Sequence, residues 1–452
     1  IGDSAALSFT VVTRPDFSNG SITYENQAEL QVDASENFVV DQEFTKLSND
    51  GVTPDTENDS VTPIPLPKIG LAKSVDAFDD VASIPGAFDV TLKFIIQNVG
   101  NVNLESIGLT DDFTGVFGTY LSSGEVANPG EYRILTAPSA TTDPGSTITV
   151  NSGFNGDSDQ NIISPLPTDL LEIGDTSEIT LTVRFFVDEN NGSITYLNNA
   201  LVTAEDADGT SVSARSANGV DPALSPPPDD PEDPTPIPYY LIKNDKELLS
   251  NVENGDGTYT ISYKITTTNF GNSDLFDVQV TDDLAAGDFG TYNGTATVSG
   301  DLATDEYYLS SPVTQNLVNT SGNSALTLET GYTGTSPNIN LLQVINSSSE
   351  KLAPGDKVEH TITITFKPNF GALTVASYNN ETFSYGDFTT NGTSDQDISD
   401  VSGNGFNLQG GSTPVPLPVP QIAVLKDVVL VDNDDGTFTA NYTVKAENIG
   451  NR

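Results

Sequence analysis

The chain has 452 residues with 17 basic and 64 acidic side chains, a formal charge of −47 at pH 7, and so large a negative excess excludes nucleic acid as a partner. Cysteine, methionine and tryptophan are absent and His360 is the single histidine, which removes disulfides, cysteine-ligated zinc, iron–sulfur clusters and thiol nucleophiles and leaves little scope for histidine catalysis. No apolar run approaches the roughly 18 residues of a membrane-spanning helix, so this segment is expected to be soluble, acidic and multidomain, with no membrane span.

From Ile1 onward the sequence reads as an internal piece of a longer protein, with no initiator methionine or leader at the start and a strand-rich stretch at Arg452. Residues 1–66 are expected to be the C-terminal half of a repeat. They hold Ile1-Gly2-Asp3, then Tyr24-x-Asn26, then the spacer Thr62-Pro63-Ile64-Pro65. Residues 67–238 are expected to form one complete repeat. Its opening strand carries Leu71-x-Lys73, and the next alternates Phe88, Val90, Leu92, Phe94 and Ile96 with less apolar neighbours before Asn98-Val99-Gly100-Asn101. Thr110-Asp111-Asp112 and Phe117-Gly118-Thr119-Tyr120 follow, with a long loop from Ser122 to Asp143. Ile173-Gly174-Asp175 then precedes a strand of Ile179, Leu181, Val183 and Phe185, and Tyr196-x-Asn198 marks the closing strand.

The same series recurs after an interval of roughly 175 residues, the signature of a repeat array. Residues 239–420 contain Leu241-x-Lys243, Tyr259, Ile261, Tyr263 and Ile265 in alternation, Asn269-Phe270-Gly271-Asn272, Thr281-Asp282-Asp283, Pro354-Gly355-Asp356, and Tyr378-x-Asn380. Residues 421–452 are expected to be the N-terminal strands of a following repeat, with Phe438, Ala440, Tyr442 and Val444 alternating before Asn448-Ile449-Gly450-Asn451. The spacers Thr235-Pro236-Ile237-Pro238 and Thr413-Pro414-Val415-Pro416 favour extended, semi-rigid chain. Period-two alternation with Gly, Asn, Asp and Pro turns, and no sustained helical period, predicts an all-β protein. Its modules are antiparallel β-sandwich domains placed end to end as a rod.

These motifs together resemble the DUF11-type conserved repeat of bacterial surface proteins. The stretches Phe154-Asn155-Gly156 and Asn161-Ile162-Ile163, with the Asp/Pro-rich tail before the second spacer, resemble the version in giant surface proteins of Bacteroidota, including gliding-motility adhesins. The resemblance implies tandem Ig-like domains in a long, exported protein at the extracellular bacterial cell surface. It supplies no ligand.

Two constellations could carry chemistry. Asp206-x-Asp208 and Asp432-x-Asp434 place oxygen ligands two residues apart, a spacing that suits calcium. A solvated acidic surface with Asp-Gly turns explains the same residues and is the preferred reading. Separately, Lys73 alternates in register with Ile69, Leu71 and Val75, so a charge falls on an apolar face, which is costly. A neutral lysine amine attacking an asparagine amide beside a protonated aspartate would leave an isopeptide crosslink. The candidate sets are Lys73, Asn198 and Asp111, and Lys243, Asn380 and Asp282, the second weakened by Asp245 on the face of Lys243. A snorkelling edge lysine and a backbone-bonded asparagine are the preferred alternative. His360 stands where the preceding repeat has Ile179 and reads as a packed histidine. The recurrent tyrosines read as buried rings with bonded hydroxyls.

Repetition argues for a mechanical, non-enzymatic role: an adhesive or structural stalk segment whose partners are neighbouring repeats of the same chain and, at the surface, polysaccharide or other cells. The alternative is a carbohydrate-binding module array of a secreted protein, disfavoured by the lack of tryptophan. A glycoside hydrolase using paired acids has little support, because nearly every acid that can be placed lies in a repeated turn.

Overall fold

The computed structural model describes residues 7–12, 24–32, 44–47, 62–81, 83–84, 86–188, 194–225, 233–345, 347–369, 378–390, 397–402, 415–417, 419, 422–434 and 436–449. Ile1-Gly2-Asp3, Asp229, Asp230 and Glu232 of the acidic tail, Thr413 and Pro414, and Gly450-Asn451 lie outside these residues. The chain divides into two compact units, Ile1–Ile237 and Pro238–Arg452.

In the first unit the sequence alternation is realised as a pair of sheets. One contains β1 (Ile69–Asp80), β2 (Ala87–Asn98), β4 (Glu131–Thr142), β5 (Thr176–Phe186) and β9 (Ala217–Asn218), in the order β9-β1-β2-β5-β4 and extended by Thr119–Tyr120. The other contains β3 (Leu104–Asp111), β7 (Ala200–Glu205) and β8 (Ser211–Arg215), with Asn161–Ile163 and Leu170–Leu171 also paired to β3. Neighbours are antiparallel except that β9 runs parallel to β1 and Thr119–Tyr120 parallel to β4. The short β6 (Leu197–Asn198) pairs with β10 (Thr235–Pro236). Phe88, Val90, Leu92, Phe94 and Ile96 of β2 are buried, as are Leu104, Ile107, Leu109, Val202 and Ala204 of the other sheet. Alternation therefore does what period-two patterning requires: one face of each strand is dry.

The second unit repeats this plan. Strands β11 (Ile242–Glu253), β12 (Tyr259–Asn269), β16 (Lys357–Lys367) and β14 (Glu306–Leu309) form one sheet in that order, and β15 (Thr314–Val318) also pairs β16. The facing sheet holds β13 (Leu275–Asp282), β18 (Thr382–Asp387) and β19 (Ile398–Val401), with Lys351–Leu352 on its edge. The pair β17 (Tyr378–Asn380) and β20 (Val415–Leu417) corresponds to β6 and β10. Tyr263, Ile265, Val280, Leu341, Ile362 and Phe366 belong to one buried cluster. A separate hairpin, β21 (Ile422–Asp432) with β22 (Phe438–Asn448), follows.

The Asn-x-Gly-Asn motif has a specific job in both units. The buried Asn98 side chain donates to the carbonyls of Val102 (2.8 Å) and Leu171 (3.0 Å), and its oxygen accepts from the Gly100 N–H (3.0 Å). Asn269 makes the equivalent bonds to Ser273, Leu352 and Gly271, each 2.8 Å. The second asparagine grips the chain just before the sandwich. Asn101 accepts from the Leu66 N–H (2.6 Å) and donates to the Ile64 carbonyl (3.0 Å), while Asn272 accepts from the Tyr239 N–H (2.8 Å). Glycine is required between them, because a Cβ on Gly100 would lie 2.5 Å from the Leu66 carbonyl oxygen and one on Gly271 2.7 Å from that of Tyr239.

His360 is fully buried on β16 opposite Ile265, the place Ile179 takes opposite Phe94 in the first unit. Neither ring nitrogen has a hydrogen-bond partner among the described residues, and burial pushes its pKa down to about 4. The unfolded chain therefore binds this proton more readily, so stability from His360 is present above the ordinary value of about 6.5 and drains away as pH falls toward 4. Replacing His360 by Ile should flatten the acid limb of the second unit's stability by up to about 3 kcal/mol, read from denaturant unfolding at pH 7 and pH 4. Equal slopes in both proteins would reject this.

Candidate functional site: a buried lysine, aspartate and asparagine in each unit

Lys73 lies at the middle of β1, which is fully dry from Ile69 to Lys73. Its register is fixed by Ile69 opposite Asn98, so that Lys73 falls opposite Phe94 and projects into the core. There the ammonium donates to Asp111 Oδ2 at 2.5 Å, and both side chains are wholly buried. Aromatic rings cover it, with Phe94 at 4.8 Å and Phe113 at 5.6 Å from Nζ. Such faces stabilise a cation where water cannot.

Asn198 completes the group. Asp111 pairs with Ala200 across the sheet, and Asn198 precedes Ala200 by two residues, separated from it by a break in the ladder. Thr235, opposite Asn198, donates its hydroxyl to the Lys73 carbonyl at 3.0 Å, so β6 and β10 close over the opening strand. The Asn198 side chain is wholly buried, and among the described residues neither its oxygen nor its nitrogen has a hydrogen-bond partner. Asp111 Oδ1 is equally unpartnered. The Asn198 amide comes close enough to favour the ionised Asp111 carboxyl without reaching proper hydrogen-bond geometry.

Burial dominates the electrostatics of this group. It lowers the Lys73 pKa despite the opposing attraction of Asp111, and it raises that of Asp111 to about 6 despite Lys73 and Asn198. Both shifts favour the uncharged amine and the uncharged acid, the direction desolvation must take when two charges leave water together.

The second unit contains the same group with one correction to the sequence expectation. Lys246, not Lys243, meets Asp282. Its Nζ donates to Asp282 Oδ2 at 2.8 Å, and both side chains are wholly buried. Ile242 lies opposite Asn269 as Ile69 lies opposite Asn98, so the fourth residue onward, Lys246, corresponds to Lys73. The inward positions of β11 are Ile242, Asn244 and Lys246, while Lys243 and Asp245 face outward. Lys243 instead places Nζ 5.4 Å from the Phe270 ring. Matching Leu71-x-Lys73 to Leu241-x-Lys243 shifts the strand onto its wrong face; counting from the residue opposite the first asparagine of Asn-x-Gly-Asn finds Lys246.

Around Lys246 the Tyr263 ring lies 4.6 Å from Nζ. Asp282 pairs with Thr382, and Asn380 precedes Thr382 by the two residues that separate Asn198 from Ala200. Asn380 is buried with both amide atoms unpartnered among the described residues, as is Asp282 Oδ1. Burial lowers the Lys246 pKa and raises that of Asp282. Gly287 packs over the amide, where a Cβ would come within 2.7 Å of Asn380 Oδ1. A cavity of about 280 Å³ lined by Asp283, Gly287, Asn380, Glu381 and Phe383 reaches this residue from the surface.

The acidic pairs are used differently. Asp206 Oδ1 accepts from the N–H groups of Asp208 (3.0 Å) and Thr210 (2.8 Å), and Asp432 Oδ1 from that of Asp434 (3.0 Å). These carboxylates cap their own turns. Among the described residues, no group of three or more acidic or histidine side chains is placed to hold a metal. Tyr196 and Tyr378 are buried, and their hydroxyls accept from the N–H groups of Asp188 and Asn369, each at 2.8 Å.

No protein-family model matches the chain, and no curated protein matches it in sequence. Among solved structures it is similar to the full-length major pilin RrgB from Streptococcus pneumoniae, at 10% identity and a TM-score of 0.21, covering 78% of this chain and 54% of the pilin. It is also similar to the CupB6 tip adhesin from Pseudomonas aeruginosa, at 10% identity and a TM-score of 0.16, covering 72% of this chain and 96% of the adhesin. A red sea bream transglutaminase has 10% identity and a TM-score of 0.16, with 72% of this chain and 30% of the enzyme covered. The chain thus spans about half of the pilin and under a third of the transglutaminase.

Removing one partner of a buried pair leaves an uncompensated charge, which costs roughly 3–5 kcal/mol. Lys246→Met should destabilise the second unit by about that amount in denaturant unfolding, whereas Lys243→Met should change it by less than about 1 kcal/mol. Similar losses from the two substitutions would reject the assignment of Lys246.

Proposed function

We propose that the chain is a load-bearing segment of a long repetitive protein displayed on a bacterial surface, acting as a stalk or adhesive filament of the DUF11-type repeat class. The observation that carries this reading is duplication of an internal brace: both units bury a lysine on the opening strand against an aspartate on the facing sheet, beside the asparagine that closes the sandwich. A single unusual site suits catalysis or ligand capture. An identical device placed in successive modules suits a property that every module must share, and resistance to extension is such a property.

The connectivity supports it. In the first unit β9 runs parallel to β1, with Asn218 opposite Lys73. Tension applied at the ends of the sandwich therefore acts along these neighbouring strands and shears their contacts together. In the second unit the Asn244 N–H donates to Asp400 Oδ2 at 2.7 Å, and the Asn244 side chain donates to Thr382 at 2.9 Å, tying the opening strand to the final ones. Asn101 and Asn272 hold the chain that leads into each sandwich, so a pull on the spacer is passed directly to the ladder. The charge of −47 keeps such segments soluble and apart.

Antibodies raised against the full chain should label intact cells of the source organism without permeabilisation. Pulled by its ends in a single-molecule experiment, the chain should resist at forces comparable to a shear-loaded β-sandwich reference. Labelling only after lysis, or yielding at the low forces typical of helical bundles, would overturn the proposal.

A further inference from the structure

We infer that each sandwich forms its own covalent crosslink, an isopeptide bond between Lys73 and Asn198 in the first unit and between Lys246 and Asn380 in the second. This inference stands on the geometry of the two buried groups and does not depend on the stalk reading.

Three observations converge. The first is placement: lysine, aspartate and asparagine come from three different strands, are wholly or almost wholly buried, and occupy the same register positions in both units. The second is the unmet hydrogen bonding of the asparagines. A buried primary amide with both polar atoms unpartnered is expensive and uncommon, yet it occurs twice at equivalent positions. Condensation removes the unpartnered amide nitrogen altogether. The third is protonation, since burial drives each lysine toward the free amine and each aspartate toward the acid. A free amine is a nucleophile and a carboxylic acid beside it can pass protons.

The step balances without a co-reactant. The Nζ lone pair adds to the asparagine Cγ, and the carbonyl electrons move onto the amide oxygen, which the aspartic acid stabilises by hydrogen bonding. The aspartyl carboxyl passes its proton to Nδ2 and takes one back from Nζ, now bonded to Cγ. The electrons on the oxygen re-form the carbonyl as the Cγ–Nδ2 bond breaks, and one ammonia leaves. Nothing is oxidised or reduced, and the aspartate ends as it began. Asp111 and Asp282, each bonded to the attacking amine, are the catalytic residues of this single turnover. In the second unit the cavity reaching Asn380 offers the ammonia a way out.

Intact mass spectrometry of the full chain should give a value two ammonia molecules below that of the sequence, and proteolysis should release branched peptides joining Lys73 to Asn198 and Lys246 to Asn380. Asn198→Ala and Asn380→Ala leave the lysine–aspartate pairs in place and should fold; each should restore the mass of one ammonia, and the double variant both. Asp111→Ala keeps both reacting groups of the first unit and should restore one ammonia. A full sequence mass in the folded protein overturns the inference. So does a deficit that persists in the double asparagine variant, which would assign it to cyclisation at Asn-Gly pairs such as Asn254-Gly255. A variant that leaves the mass deficit unchanged overturns it for that unit.

Discussion

Taking the Lys73 and Lys246 amines out of water costs several kcal/mol per ion even after relaxation, and much of each sandwich is arranged around offsetting that cost. An aspartate meets the amine at hydrogen-bond distance, and aromatic rings supply the remaining surface. The asparagine is held in the dry interior with its amide unpartnered among the described residues, because the strand bearing it is closed by its own short partner strand. An apolar residue at the lysine position would pack at less expense. The recurrence of the polar group therefore points to a use beyond simple stability.

That group works only if three strands keep register to the residue. A slip by one position would turn the lysine to solvent and leave a carboxylate buried alone. Register is set at the Asn-x-Gly-Asn turn. Its first asparagine bonds three backbone groups across the end of the sandwich, and the opposing residues, Ile69 and Ile242, then fix the lysine four positions on. The most obvious sequence repeat and the least obvious site are thus parts of one mechanism.

Much of this was legible beforehand, for physical reasons. Alternating strands such as Phe88 to Ile96 and Tyr259 to Ile265 advertise a two-faced sheet, and Asp111, Asp282, Asn198 and Asn380 stand in the short motifs Thr-Asp-Asp and Tyr-x-Asn that recur in both units. Lys73 was legible because it interrupts an apolar face. Lys246 was not, because β11 carries Lys243, Asp245, Lys246 and Glu247 in close succession and its polarity hides which face is inward. Only the ladder with β12 decides it. The acids at Asp206 and Asp432 are ambiguous in sequence, since the two-residue spacing that suits a cation is also the spacing at which a carboxylate caps its own turn. His360 was legible from the isoleucine at the matching place, a packing position that tolerates a neutral ring.

The same strand registers recur outside the two sandwiches. In the hairpin of β21 and β22, Ile422 lies opposite Asn448 and Lys426 opposite Val444, the offsets that place Lys73 and Lys246. Lys426 Nζ lies 4.4 Å from the ring of Tyr442, two residues before the residue it opposes, just as Tyr263 stands two before Ile265. Near the other end, Asn26 lies opposite Thr62 as Asn198 lies opposite Thr235. Lys426 thus holds, on the first strand of this hairpin, the register position that Lys73 and Lys246 hold in the two sandwiches. The lysine's place is therefore set by its distance along the ladder from the first asparagine of Asn-x-Gly-Asn, wherever that turn closes a pair of long strands.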